Sequence, residues 1–213
     1  MTSEPGSGRD SVSEKGWVRA TCDPRYWIPC PAGFPPGMDR DSWATAMSRG
    51  WWEQSGLAHQ ESSAGQLATM LRTLHERAYA TVVCHQIWIY LRDPALPPLP
   101  VFLGIWKQRG DRRPRLRELA GADDKASAGK PQVTEYKTGS LGPGLRVMRH
   151  RKARKGTLAV LSYAFRSDEF ETDVQVFVSW DPRALETVTG DIEQFVDGLT
   201  VYGNSSPAQL AQP

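Results

Sequence analysis

The sequence predicts an α+β protein in which an antiparallel sheet of about five strands has its helices packed on one face. Apolar residues recur with a helical period before residue 80 and again near the C-terminus. Between these regions, runs of β-branched and aromatic residues alternate with a period of two. Strands joined by short connections and flanked by helices favour an antiparallel sheet over a parallel one.

Two helices are expected before the strands. In MDRDSWATAMSRGWWEQSG, the residues Trp43, Met47 and Trp51 share one helical face, and Asp39 or Asp41 can cap the start. The second helix is the segment SSAGQLATMLRTLHERAYA, whose apolar stripe consists of Leu67, Leu71, Leu74 and Ala78.

Five strands and a final helix follow. ATVVCHQIWIYLR and PVFLGIWKQ are expected to pair across a proline-rich connection, and GLRVMRH, TLAVLSYAF and TDVQVFVSW continue the sheet as a meander. The polar segment 110–140 contains one expected short helix, RPRLRELAGA. The last helix begins with Asp181 as its cap and Pro182 at its first position. Upstream, the proline-rich segment has room for one short strand near Val18–Thr21.

Composition divides the chain into a single folded domain, residues 17–203, with a disordered tail at 1–16 and a flexible tail at 204–213. No apolar run is long enough to span a membrane, and the N-terminus lacks the apolar core of a secretory signal. Three widely spaced cysteines then favour reduced thiols in the cytoplasm, although a bridge between Cys22 and Cys30 remains open for an exported protein.

Charge is segregated along the chain. Residues 107–155 contain 15 Lys and Arg against 5 Asp and Glu, whereas residues 156–213 contain 2 against 9. Residues 1–106 are nearly balanced, so the net charge is only +2. This total is not typical of a nucleic-acid-binding protein, and the distribution indicates either a charged partner or pairing within the chain.

Four motifs in the later part of the chain carry a resemblance to a known group. The stretches SLGPGLRVMRH, LSYAFR, TDVQVFVSW and DIEQFVDGLTV together resemble a group of small uncharacterised actinobacterial α+β proteins, with an architecture similar to that of PsbP-like domains. The resemblance covers residues 17–203 in layout and is specific in the last third. It implies a fold used mostly for binding other proteins, and it assigns no active-site residues.

Cysteine chemistry has a weak basis in the sequence. A catalytic thiolate needs a neighbouring base, but Cys84 and His85 are adjacent in a predicted strand and point to opposite faces. Cys84 is therefore expected in the core. Cys22 would need His59 or His75 to be brought to it by the fold. A thiol-dependent enzyme at Cys22 or Cys84 is the least favoured of three hypotheses.

The spacing of the cysteines and histidines does not match a zinc site, and no metal or cofactor is expected. Acid–base catalysis would need two carboxyl groups in a cleft. The acidic cluster of RSDEFETD lies between two predicted strands, where a solvated turn is the expected structure for Asp168, Glu169, Glu171 and Asp173.

Two basic clusters form the candidate binding surface. One follows the second strand of the sheet, and the other is the tip of the predicted hairpin within RVMRHRKARKG. If the two lie side by side, they make a surface able to hold phosphates or an acidic partner. Its residues are Arg109, Arg112, Arg113, Arg115, Arg149, Arg151, Lys152, Arg154 and Lys155.

Aromatic residues are the second candidate surface. Trp52 lies off the apolar stripe of its helix, and Trp88 and Trp106 lie on strand faces that are open if helices cover only one side of the sheet. Tryptophan and arginine are enriched in protein interfaces.

These observations predict a non-enzymatic adaptor or chaperone-like protein that binds another, acidic protein through exposed sheet aromatics and basic loops. The alternative is a nucleic-acid-associated protein that binds phosphates through residues 107–117 and 146–155.

Overall fold

The computed structural model describes residues 16–55, 61–81, 83–93, 97–154 and 156–203. The disordered and flexible tails expected at the two ends lie outside these residues, except for Gly16. Within them the elements follow the order β1 Gly16–Ala20, β2 Trp27–Cys30, α1 Arg40–Ser55, α2 Glu61–Thr81, β3 Gln86–Tyr90, β4 Leu99–Lys107, α3 Arg112–Ala120, β5 Gln132–Thr138, β6 Gly142–Ala153, β7 Gly156–Ser167, β8 Thr172–Trp180, α4 Pro182–Asp197 and β9 Leu199–Gly203.

The main sheet has seven antiparallel strands in the order β2-β3-β4-β8-β7-β6-β5, and β1 pairs with β9 in a separate two-stranded sheet. The α+β class and the antiparallel pairing are confirmed, but the prediction of about five strands is wrong. The sheet gains β2, which is short and contains Pro29, and β5, which is too polar to resemble a buried strand.

The prediction that helices cover one face of the sheet is also wrong. One face, the α4 face, packs against α4 and the β1–β9 pair and contributes residues such as Tyr163 and Val176 to one apolar cluster. The opposite face, the α3 face, packs against α3 over β6–β8 and against α1 and α2 over β2–β4. Because both faces are covered, strands such as β4 and β7 are almost continuously buried instead of alternating.

Two of the residues predicted to cap helix starts, Asp39 and Asp181, do so. Asp39, one of the two candidate caps of α1, accepts a hydrogen bond from the backbone N–H of Ser42 at 2.7 Å. Asp181 accepts from the N–H groups of Arg183 and Ala184 at 3.0 and 3.1 Å, with Pro182 at the first position of α4. These caps satisfy N–H groups that have no partner inside a helix.

Candidate binding groove

The arginines around α3 are largely engaged with carboxylates of the same chain. Arg109 lies 3.2 Å from Glu118, and Arg112 lies 3.1 Å from Asp168 while donating to the carbonyl of Pro143 at 2.9 Å. These contacts fix the first turn of α3 above the start of β6. They also lower the charge that these residues present to a partner.

Arg115 does not belong to any surface, contrary to the prediction. Its side chain is buried, and its Nε lies 3.3 Å from a carboxylate oxygen of Asp173, which has no exposed surface. Arg166 donates to the same carboxylate from Nε at 2.6 Å and from a terminal nitrogen at 3.1 Å. Arg166 also donates to the backbone carbonyls of Arg109 and Gly110. The buried triad therefore ties the segment between β4 and α3 to the sheet.

The expected solvated turn is therefore wrong for Asp173, which lies on β8 and faces α3. The sequence signal for the triad is an arginine and an aspartate at opposite positions of a hairpin, since Arg166 on β7 pairs in register with Asp173 on β8. A buried carboxylate with two guanidinium partners is a costly arrangement unless the whole set stays together.

The hairpin tip is the more exposed of the two basic clusters. Lys152 and Arg154 are exposed, and no carboxylate within the described part of the chain forms an ion pair with them. Arg151 is half exposed and lies 3.9 Å from Asp124. Arg149, by contrast, is mostly covered and donates to the carbonyl of Ala120 at 2.6 Å. The remaining predicted member of this cluster, Lys155, lies outside the described residues.

The two basic clusters meet where Arg149 contacts the end of α3, but their exposed ends lie far apart. Arg112 contacts Pro143 at the start of β6, whereas Lys152 lies nine residues further along the same strand. At about 3.3 Å per residue this separates the two ends by about 30 Å.

Part of the charge segregation is instead satisfied within the chain. The basic segment 107–155 forms ion pairs with the acidic segment 156–213. These ion pairs are Arg112–Asp168, Arg115–Asp173 and Arg146–Glu193.

The predicted aromatic surface is wrong for two of its three residues. Trp52 is buried against Trp51, whose ring lies edge-on at 5.5 Å. Trp106 is buried on the α3 face, with the ring of His85 edge-on at 4.7 Å. Trp88 is half-buried beside Phe195 of α4. The prediction assumed an open sheet face, and helices cover both.

A groove of about 480 Å³ lies between α3 and the last two strands of the sheet, and we call it the α3–β5 groove. Its apolar floor is formed by Leu116 from α3 and Leu145 from β6, and the exposed Pro143 of β6 adds to the apolar lining. Its rim is charged, with Arg112 and Arg113 on one side and Glu135 and Lys137 on the other. The backbone also lines it at Tyr136 and Gly144.

The two cations that this groove offers to a partner are Arg113 and Lys137. Both are exposed, and neither forms an ion pair within the described residues. Glu135 is the one carboxylate at the rim, so the groove retains a positive surplus. Lys137 is not among the predicted site residues, because the polar composition of segment 110–140 does not indicate a strand there. The available strand signal is the alternation of Thr134, Tyr136 and Thr138 with the charged residues Glu135 and Lys137.

A second groove of about 460 Å³ lies between α2 and the start of β4. Its lining is mostly apolar and includes Met70, Leu74 and Phe102, with Thr69, Thr73 and Arg77 as its polar members. Phe102 stacks on Phe177 of β8 with ring centroids 4.9 Å apart. Nothing in its surroundings identifies a particular occupant.

The thiols are poorly suited to nucleophilic chemistry. Burial raises the pKa of Cys22 and of Cys84 to about 11, with the neighbouring Asp23 adding to the effect at Cys22. Thiolate, the reactive form, is therefore scarce at neutral pH. Within the described ranges, no three His, Cys, Asp or Glu side chains lie close enough together to hold a metal ion. None of the helices described has the length and apolar character needed to cross a membrane.

The fold and the groove together define an α+β protein whose antiparallel sheet lies between two helical layers. No protein-family model matches the sequence, and no curated protein matches it. Among solved structures, LpqN, described as involved in cell envelope biogenesis of Mycobacterium tuberculosis, aligns with a TM-score of 0.48 and 7% identity. That alignment covers 92% of this chain and 87% of LpqN.

The cyanobacterial PsbP protein (CyanoP) of Synechocystis aligns with a TM-score of 0.39 and 10% identity, over 95% of this chain and 99% of that protein. Both alignments have TM-scores below 0.5. At these TM-scores they carry no argument about function, and the actinobacterial part of the resemblance stays a prediction.

Proposed function

We propose that this chain is a non-enzymatic protein-binding module whose α3–β5 groove takes an acidic, partly apolar segment of a partner protein. The observation that carries the proposal is the combination in one groove of an apolar floor at Leu116 and Leu145 with the exposed cations Arg113 and Lys137. An apolar side chain of the partner would enter the groove, and a flanking carboxylate would meet a cation at the rim.

The rigidity of the groove supports a binding role. The first turn of α3 is held by Arg112 through Asp168 and Pro143, and the buried triad around Asp173 fixes the segment just before it. Walls that do not move on binding lower the entropy cost of capturing a segment. The buried tryptophans have no part in this proposal, which replaces the aromatic surface expected from the sequence.

Defined peptides test the proposal by heteronuclear NMR. The probe is a synthetic octapeptide that alternates aspartate with valine, and its control replaces each aspartate by asparagine. We expect the acidic peptide to shift amide signals of α3 and β5 in a salt-sensitive way, and the neutral peptide to bind at least about tenfold more weakly.

Two charge reversals locate the site. Arg113→Glu at the groove is expected to weaken binding of the acidic peptide about five- to tenfold, because it removes an attraction and adds a repulsion. Arg154→Glu at the hairpin tip introduces the same charge change about one strand length away and is expected to change binding less than twofold. Equal affinity for both peptides, or loss of binding only in Arg154→Glu, would exclude the groove.

Nucleic-acid binding is the second candidate, and the exposed Lys152 and Arg154 at the hairpin tip favour it. Against it, stacking of single-stranded bases needs aromatic side chains among the charges, and residues 149–160 contain none besides His150. A single-stranded oligonucleotide added at low salt is the test. Binding that Arg154→Glu abolishes and Arg113→Glu leaves intact would favour this candidate over the groove.

A further inference from the structure

β5 is the last strand of the main sheet and pairs with β6 alone among the described strands. Its residues Thr134, Glu135 and Lys137 are exposed, and no backbone hydrogen bond beyond those to β6 reaches residues 132–138 from the described part of the chain. One side of its backbone is therefore available as a template for another strand.

We propose that β5 pairs antiparallel with β5 of a second copy of this chain, so that two sheets join across a two-fold axis centred on Tyr136. Pairing of this kind keeps residues that lie opposite each other on the same face of the joined sheet. In this register, Glu135 of each copy lies opposite Lys137 of the other, so the contact contains two unlike charge pairs. The proposal does not rest on binding in the α3–β5 groove, although Glu135 and Lys137 of β5 also stand at the rim of that groove.

The charges select this register among the alternatives. Centring the axis on Glu135 would place two carboxylates directly opposite each other, and centring it on Lys137 would do the same with two ammonium groups. Like charges in opposite positions destabilise a strand pair, and unlike charges stabilise it. Charged residues on an edge strand usually oppose pairing with other chains, but here they disfavour these registers and favour the one centred on Tyr136.

The neighbours of these residues leave their charges free for this contact. Within the described residues, neither Glu135 nor Lys137 forms an ion pair, and their cross-strand neighbours on β6 are Leu145 and Pro143. Tyr136 is turned to the α4 face, where its ring packs edge-on against Tyr163 at 5.1 Å and its hydroxyl donates to Asp197 at 3.2 Å. This packing holds the centre of the strand in place for a partner.

The expected dimer is small and weak, because only residues 134–138 of each copy lie in the joined strands. A contact of this size falls at the low end of specific interfaces. Sedimentation equilibrium over the full range of soluble concentrations is the appropriate measurement. We expect the wild-type chain to show a reversible monomer–dimer equilibrium.

Charge exchange between the two positions tests the register. Glu135→Lys and Lys137→Glu each turn both unlike pairs into like pairs, and each is expected to raise the dimer dissociation constant about tenfold. The double variant Glu135→Lys/Lys137→Glu restores two unlike pairs and is expected to return the constant to within about twofold of the wild-type value. Both side chains are exposed, so far-UV circular dichroism should confirm that all three variants fold.

Several results would overturn the proposal. A wild-type chain that is monomeric at every concentration removes it, and so does a dimer whose dissociation constant is unchanged in both single variants. Failure of the double variant to recover would show that the charges do not face each other. Arg113→Glu separates this contact from the groove, because it is expected to weaken peptide binding and leave dimerisation unchanged.

Discussion

At the scale of single residues, the buried carboxylate of Asp173 has the largest expected effect on stability. It accepts hydrogen bonds from Arg115 and Arg166, and all three side chains are buried. Asp173→Asn removes the carboxylate that neutralises the buried Arg166 and leaves Arg115 paired only with the exposed Glu118, and we expect a loss of about 3–5 kcal/mol in the free energy of unfolding. Urea denaturation followed by circular dichroism measures it.

Asp168→Asn is the matched control for Asp173→Asn. Asp168 also pairs with an arginine, Arg112, but its side chain is largely exposed, so the same change is expected to cost less than about 1 kcal/mol. Equal losses in the two variants would mean that burial of the triad does not govern its contribution.

His85 makes stability depend on pH. Its Nδ1 accepts a hydrogen bond from the backbone N–H of Ile105 at 2.8 Å, and burial lowers the pKa of His85 below its ordinary value of 6.5. The unfolded chain therefore binds a proton more readily than the folded one. The stabilisation that comes from neutral His85 is complete above the pKa of this histidine in the unfolded chain, about 6.5. It is lost as the pH falls below that value and through the lower pKa of His85 in the folded chain.

We expect the denaturation midpoint of the wild-type chain to fall between pH 7 and pH 5 more steeply than that of His85→Asn. The asparagine oxygen can accept the same N–H but does not titrate. Denaturant titrations at a series of pH values compare the two chains. Parallel pH profiles would assign the dependence to groups other than His85.

The residue scale also shows why the sequence only partly predicts the candidate site. Arg113 follows from the charge pattern alone, because an exposed cation needs no particular neighbour. The environment of Arg115 does not follow, since its burial depends on Asp173, which is 58 positions away. The sequence shows where charged residues cluster, but whether a given charge is exposed or buried depends on the fold.

At the scale of elements, the sequence predicts the helices and strands that have a strong apolar periodicity. It does not predict strands such as β2 and β5, which lack that pattern and are strands because they hydrogen-bond to a neighbour. α3 and α4 lie where the sequence places them, and so do β6, β7 and β8. The predicted strand beginning at Ala80 is wrong at its start, because α2 continues to Thr81 and β3 begins only at Gln86. The sequence does not separate β9 from the last helix, because Leu199 and Val201 continue the apolar character of α4.

The end of α3 depends on a glycine in a left-handed conformation. Gly121 has φ of 69°, and a Cβ there would overlap a guanidinium nitrogen of Arg149. Gly121→Ala should therefore strain the backbone and displace Arg149 from the carbonyl of Ala120. We expect a loss in the free energy of unfolding of about 2–3 kcal/mol, measured by urea denaturation.

Gly110→Ala is the matched control, because Gly110 also has a positive φ, of 57°, but has open space where a Cβ would lie. It is expected to cost about 1–2 kcal/mol through the backbone alone. In an Arg149→Ala background, the two glycine substitutions should become equal. A difference that persists there would assign the cost to something other than Arg149.

At the scale of the whole molecule, the sheet connects two apolar layers through shared strands. β4 sends Leu103 and Ile105 to the α4 face and Phe102 to the α3 face, and β8 divides Val176 and Phe177 in the same way. Neither layer can lose its packing without exposing strands on which the other layer rests. This arrangement favours one cooperative transition, and the single domain over residues 17–203 stays a prediction.

Substitutions on opposite sides of the sheet test this coupling. Leu71→Ala in α2 and Ile192→Ala in α4 each truncate a fully buried side chain and are expected to cost about 2–5 kcal/mol. Val83→Ala, at a residue that is 79% exposed, should change stability by less than about 0.5 kcal/mol. Fluorine NMR of 5-fluorotryptophan-labelled protein resolves the two layers, since Trp43 lies in one and Trp27 in the other.

We expect the signals of Trp43 and Trp27 to disappear at the same urea concentration in the wild-type chain, and to move together in both core variants. The reason is that β4 and β8 belong to both layers, so a loss of packing in one layer lowers the stability of the other as well. If Leu71→Ala lowered the midpoint of Trp43 and left that of Trp27 unchanged, the two layers would unfold as separate units. Residues 17–203 would then comprise two cooperative units, and α1 and α2 would be an addition to a sheet that is stable without them.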